Sequence, residues 1–210
     1  MNSPYACPQK HWELDSEGQP TQRILEKRRR ADFFTPIPKP KKHKDAAAQQ
    51  EIIFDEGRGL STKEQQYDPT SVINEVRGYV AEWRALPEAN WQVTPETARL
   101  LKQWRNHRFV GIRPFFCQIE AVETAIWLTE VAPQNRQGKQ ILDLLSRASK
   151  DANPGLLRIA FKMATGSGKT AVMAMIIAWQ TVNAVRRPGS KNFSRGFLIC
   201  TPGLTIKDRL

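Results

Sequence analysis

LLRIAFK (156–162), MATGSGKT (163–170) and AVMAMIIAWQTVNAV (171–185) follow one another without a break, and the fold turns on how these three pieces are read. LLRIAFK is short, apolar and bounded upstream by NPG at 153–155, a strong turn. That is the profile of a buried parallel strand. AVMAMIIAWQTVNAV has the length and apolar spacing of a helix that passes from amphipathic to buried. The loop RRPGSKNFSRG (186–196) then leads into FLICT (197–201), a second apolar run with strand character. Strand, glycine loop, helix, loop, strand is a βαβ unit, so the sequence predicts an α/β fold with a parallel sheet.

The glycine loop carries the chemistry. Gly166 and Gly168 can take backbone angles closed to other residues, which lets successive amides turn inward around phosphate oxygens. The helix that starts there adds unsatisfied amides and the positive end of its dipole. Lys169 supplies a point charge for β- and γ-phosphates, and Thr170 a hydroxyl ligand for Mg²⁺. Ala164, Thr165 and Ser167 complete the cradle, Thr165 and Ser167 mainly through their backbone amides. The expected ligands are ATP and Mg²⁺, with Lys169 and Thr170 as the catalytic pair. Gly-x-Gly-Lys-[Ser/Thr] arises by chance in roughly one percent of chains this long, given glycine near 7% of residues. The alternative, a surface turn that happens to contain GSGKT, is therefore weak. One departure is visible: Met163 stands where the general GxxxxGK[ST] pattern has glycine.

Working outward, helical patterns precede the loop. Val72, Ile73, Val76, Tyr79, Val80, Trp83 and Leu86 form an apolar stripe that Pro87 stops. Thr94-Pro95-Glu96 reads as cap, first-turn proline and first-turn acid, opening a second helix through Leu101 and Trp104. A third helix is predicted from near Pro114 to Val131 and a fourth over 139–148. The tryptophans read as packing rather than base-stacking. Residues 1–66 are polar, proline-bearing and weakly periodic, with KRRR at 27–30 and PIPKPKKHK at 36–44. A nuclear-import signal or a DNA-phosphate patch is one reading of these runs. A solvated, flexible basic linker is the other, and it is favoured because alternating prolines enforce extended backbone. EIIFDEG (51–57) imitates an acidic Walker B strand, but it lies a hundred residues ahead of the phosphate loop rather than after it. An edge strand or turn suits it better.

The whole chain has 210 residues, 40% of them hydrophobic and a quarter charged. This is globular composition with room for one or two domains. Gly and Pro without period exclude collagen and simple repeats. The net charge of +11 favours a polyanionic partner, most often nucleic acid. The excess is concentrated at 161–210, where eight basic residues face one acid, Asp208. Cys7, Cys117 and Cys200 are dispersed and odd in number, which fits a reducing compartment and gives no disulfide framework or zinc site. Cys7 and His11 have a ligand-like spacing but lack two further ligands. MNSPYACPQK has no apolar core of a signal peptide, and AVMAMIIAW (171–179) is far short of the ~20 residues needed to span a bilayer. A soluble, cytoplasmic protein with no membrane partner is expected.

With MATGSGKT and the TPG that ends the second apolar run in place, the segment 110–210 resembles the first motor domain of superfamily-2 DEAD/DEAH-type helicases. It is most similar to the branch holding the helicase subunits of type III and type I restriction enzymes and the UvrB-like excision helicases. That branch uses TGSGKT and TGTGKT loops and tolerates non-glycine residues at the first position, which accommodates Met163. The resemblance implies an incomplete RecA-like P-loop domain over 110–210. A helical region at 67–109 and the basic arm at 1–66, neither matching anything in the family, would precede it. It also implies that Gln118 in IRPFFCQ (112–118) reads the adenine edge. A glutamine amide can pair with N6 and N7 together, although this Gln lies two residues later than in the commoner RPYQ form. The bland alternative is a polar position on the third helix. Thr201, Pro202 and Gly203 occupy the place of the strand-tracking segment, motif Ia, with Lys207 and Arg209 close by. Contacts of that kind position a strand without reading its sequence.

The resemblance thus implies an ATP-dependent DNA helicase or translocase, the helicase subunit of a restriction endonuclease, acting beside a modification or specificity subunit. An acidic Walker B segment and a second RecA-like domain are not in the sequence. The chain is therefore expected to be the N-terminal part of a larger protein, inactive as an ATPase by itself. The competing expectations are a P-loop kinase or other ATPase without a nucleic-acid role, and a non-enzymatic DNA-binding module using the 27–44 cluster.

Overall fold

The computed structural model describes residues 2–15, 19–31, 69–111, 113–152 and 155–200. An N-terminal hairpin pairs β1 (His11–Leu14) with β2 (Pro20–Leu25), antiparallel, His11 opposite Leu25 and Leu14 opposite Pro20. Five α-helices follow among the described residues: α1 (Pro69–Ala85), α2 (Pro95–Asn106), α3 (Phe116–Ile126), α4 (Arg136–Ala152) and α5 (Lys169–Arg186). After Ile126, α3 widens into a π-helical turn, Trp127–Val131, and then a short 3₁₀ turn, Ala132–Gln134. Their bounds follow the sequence signals. Thr94 caps α2 by accepting from the Thr97 amide at 3.1 Å, and Pro95 sits in the first turn, where its missing N–H has no intrahelical role. Leu86 and Pro87 lie just beyond the end of α1.

α3 is the hub, packed on α1, α2 and α5, while α4 covers its π-helical extension. One apolar cluster runs through all of them, with Val80, Leu101, Val122 and Ile126 removed from solvent and Trp83, Trp91, Trp127 and Trp179 nearly so. Trp83, Trp91 and Trp179 carry their polar ends to hydrogen-bond partners, as buried indoles usually do. Trp83 Nε1 donates to the Trp91 carbonyl and Trp91 Nε1 to the Leu86 carbonyl, both at 2.8 Å. Tyr79 stacks on Trp127 with ring centroids 5.7 Å apart. α4 comes so close to the preceding turn that a Cβ on Gly138 would lie 2.3 Å from the Ala132 carbonyl oxygen.

Two polar networks run through this core. Glu123, fully buried on α3, accepts from Arg84 of α1 and at 2.7 Å from Arg105 of α2. Burying a carboxylate is tolerable only with such partners. Glu130, in the π-helical turn, accepts from Trp179 Nε1 (2.8 Å), Thr97 Oγ1 (2.7 Å) and the Thr94 amide (2.8 Å). Asn183 joins the same group by donating to Thr97 Oγ1 and to the Trp179 carbonyl. Trp179 and Asn183 both belong to α5, so this network fixes that helix from within.

The expected parallel sheet is not formed. The sheet among the described residues is the two-stranded antiparallel hairpin at the N-terminus, and the molecule is predominantly helical. LLRIAFK and residues 197–200 form neither helix nor strand, and they stand exposed, Leu157 at 63% and Leu198 at 90%. An incomplete RecA-like α/β domain is therefore the wrong class for this chain as folded. The physical reason is that a strand's amides and carbonyls are satisfied only by neighbouring strands. An apolar run alone does not supply them. No described helix is long and apolar enough to cross a membrane.

Candidate phosphate-binding loop

The loop 163–168 leads directly into α5, with Gly168 as the residue before the first helical turn. Gly166 has φ +78° and Gly168 φ +76°, the left-handed region in which side chains are strained. The turn closes on one acceptor. The Ala164 carbonyl receives the Ser167 amide at 3.3 Å, Ser167 Oγ at 2.7 Å and Lys169 Nζ at 3.0 Å. Among the described residues no group accepts from the amides of Thr165, Gly166, Gly168, Lys169 and Thr170. Lys169 and Thr170 are in the first turn of α5, where an amide has no intrahelical partner. Ala164, Thr165, Gly166, Lys169 and Thr170 are all exposed. Orphan amides, a lysine and a free hydroxyl at a helix start are the donor set that a phosphate chain and its Mg²⁺ require, so the residues fit that ligand.

Gln118 is the residue that seats the loop. It lies in the third position of α3, 6% exposed, and its amide is used at both ends. Oε1 accepts from the Phe115 amide at 2.9 Å, capping α3 as a third-position glutamine does. Nε2 donates to the Ser167 carbonyl at 2.9 Å. The approach is tight: a Cβ on Gly168 would sit 2.1 Å from Gln118 Nε2. Glycine is thus required at 168 both for its backbone angle and for this contact. One amide hydrogen and one lone pair of Gln118 remain for another partner.

Sequence reasoning brought Gln118 and Ala164 through Thr170 to one site, and the structure joins them through the Ser167 bond. Thr201, Pro202 and Gly203 lie outside the described residues, as do PIPKPKKHK and EIIFDEG. What the sequence missed is the N-terminal segment beside the same helix. Phe116 donates its amide to the Pro4 carbonyl at 2.8 Å, and the Tyr5 ring meets Phe115 at 5.6 Å and the Arg113 guanidinium at 4.1 Å. Arg28, inside KRRR, makes a two-pronged pair with Glu120 of α3, both bonds 2.6 Å. That pair holds the Arg28 guanidinium above the usual arginine range, although burial works against it. Basic runs separated from their acceptor by scores of residues give no local signal of such docking.

Comparison with known protein families, with curated proteins and with solved structures yields no match to this chain.

Proposed function

We propose that the chain binds MgATP through the loop 163–170 and belongs to an ATP-driven motor acting on DNA, of the type found in restriction-enzyme helicase subunits. The observation that carries the first half is the set of acceptor-free amides at Thr165, Gly166, Gly168, Lys169 and Thr170, seated by Gln118 and opening a helix. On binding, Lys169 exchanges the Ala164 carbonyl for phosphate oxygen and the amides close around the phosphate chain. Thr170 would supply the protein's hydroxyl ligand to Mg²⁺, whose contribution when bound would be to neutralise phosphate charge. The remaining amide hydrogen and lone pair of Gln118 are available to an adenine edge, which favours ATP over GTP. The DNA half rests on the likeness of MATGSGKT, IRPFFCQ and CTPG to helicase motifs, and on eight basic residues against one acid over 161–210.

Titration with ATP and Mg²⁺ by calorimetry tests the loop. Lys169→Ala removes one charge-assisted contact, worth about 1.5–3 kcal/mol, and is expected to weaken binding about 10- to 100-fold. Equal affinity of the two proteins would sink the reading. Binding of ATP together with no DNA affinity even at low salt would instead place the chain among P-loop kinases or other ATPases.

A further inference from the structure

The KRRR run at 27–30 is held in place from three directions. His11 Nδ1, on β1, donates to the Lys27 carbonyl at 2.6 Å. Glu120, on α3, grips the Arg28 guanidinium with both oxygens, and that guanidinium lies over the Phe116 ring, 5.6 Å from its centre. Asn74, on α1, accepts from the Ala31 amide at 3.0 Å and donates to the Ala31 carbonyl at 3.4 Å. Five consecutive residues are thus pinned at both ends and in the middle. Only the Arg28 side chain is committed inward. Lys27, Arg29 and Arg30 are exposed and make no ion pair among the described residues. A solvated linker would have no such anchors, and each one restrains backbone that would otherwise lose entropy on binding.

Arg77 adds a further cation. It lies three residues beyond Asn74 and seven before Arg84, on the face of α1 turned to Ala31 and Glu120. It is half-buried, has no ion pair among the described residues, and is held below the usual arginine range by burial and by the neighbouring charge of Arg28. Glu120 is the carboxylate at this seam and is already shared between Arg28 and Arg84. The surface therefore keeps a strong positive excess after its internal pairs are made.

We infer that Lys27, Arg29 and Arg30, pinned through Arg28 and backed by Arg77, form a preorganised ridge that binds the phosphate backbone of a nucleic acid. The ridge contacts phosphates, and contacts of that kind position a nucleic acid without reading its sequence. It is separate from the loop 163–170, although both rest on α3, through Glu120 and Gln118. The choice of nucleic acid as the polyanion rests on the proposed motor function; the ridge itself rests on its anchors and its charge.

The test is salt-dependent binding of a labelled DNA duplex to the full chain, followed by fluorescence anisotropy. Because each phosphate contact contributes about −0.9 to the slope of log affinity against log salt, Arg29→Ala with Arg30→Ala should lower that slope by about two units and weaken binding at low salt about tenfold or more. These side chains are exposed, so the fold is unaffected. Unchanged slope and affinity would overturn the ridge. Glu120→Ala provides a second discriminant, since it raises the net charge yet releases Arg28. DNA affinity is expected to fall, and a rise would overturn the pinning. Poly-glutamate bound as tightly as DNA, and weakened equally by the arginine substitutions, would overturn the nucleic-acid assignment. Tripolyphosphate binding, lost in Lys169→Ala and kept in the arginine variant, reads the loop independently of every one of these outcomes.

Discussion

Gln118 shows how one side chain can serve two masters, and substitutions can separate them. Gln118→Glu keeps an acceptor for the Phe115 amide but has no hydrogen for the Ser167 carbonyl, and sets oxygen against oxygen there. ATP affinity is expected to fall about tenfold, the equivalent of one hydrogen bond, and the opposed oxygens should also lower the unfolding free energy by about 1–3 kcal/mol. Gln118→Ala loses the cap as well, and should also lower the unfolding free energy by about 1–2 kcal/mol. Equal ATP affinity in the parent and Gln118→Glu would show that the Ser167 contact does not seat the loop. Glu123 belongs to the same scale. Glu123→Ala leaves Arg84 and Arg105 in the core without their carboxylate, and a loss of about 3–5 kcal/mol is expected in urea unfolding.

At the scale of elements, helices were legible and sheet was not. Thr94-Pro95-Glu96 announced α2 because a cap, its amide partner and the first-turn proline lie within four residues. A helix bonds to itself, so its signals are local; a strand is defined by a partner that its own sequence does not name. LLRIAFK had the composition of a strand and no neighbour to complete it. The loop was legible through Gly166, Gly168, Lys169 and Thr170. Its seat is half legible: Gln118 stands out in IRPFFCQ as a candidate for the site, but its bond to Ser167 spans 49 residues. Arg28 and Glu120 are 92 residues apart, beyond any spacing rule. Gly138 tests packing between elements. Alanine in place of an exposed helical glycine normally gains about 1 kcal/mol. At 138 the added carbon would strike the Ala132 backbone, so Gly138→Ala should lower the melting temperature instead.

For the whole molecule, most of the positive excess lies at 161–210, around the phosphate loop, with a smaller local cluster in the pinned run near the N-terminus. Residues 171–210 contain one acid, Asp208, so that stretch offers too few carboxylates to hold Mg²⁺ and orient water. The chain alone should bind ATP and release no measurable phosphate in a steady-state assay. Turnover abolished by Lys169→Ala would reveal a water-activating group placed elsewhere. The exposed segments carrying Leu156, Leu157, Ile159, Leu198 and Ile199 have a different consequence, one of colloidal behaviour. Segments outside any sheet that carry exposed aliphatic side chains are a template for cross-chain strand addition. Solutions of the purified chain should therefore scatter more light as concentration and salt rise, since salt screens the net charge of +11 that keeps copies apart. Lysine at 157 and 198 should suppress that turbidity while leaving the helical far-ultraviolet spectrum intact.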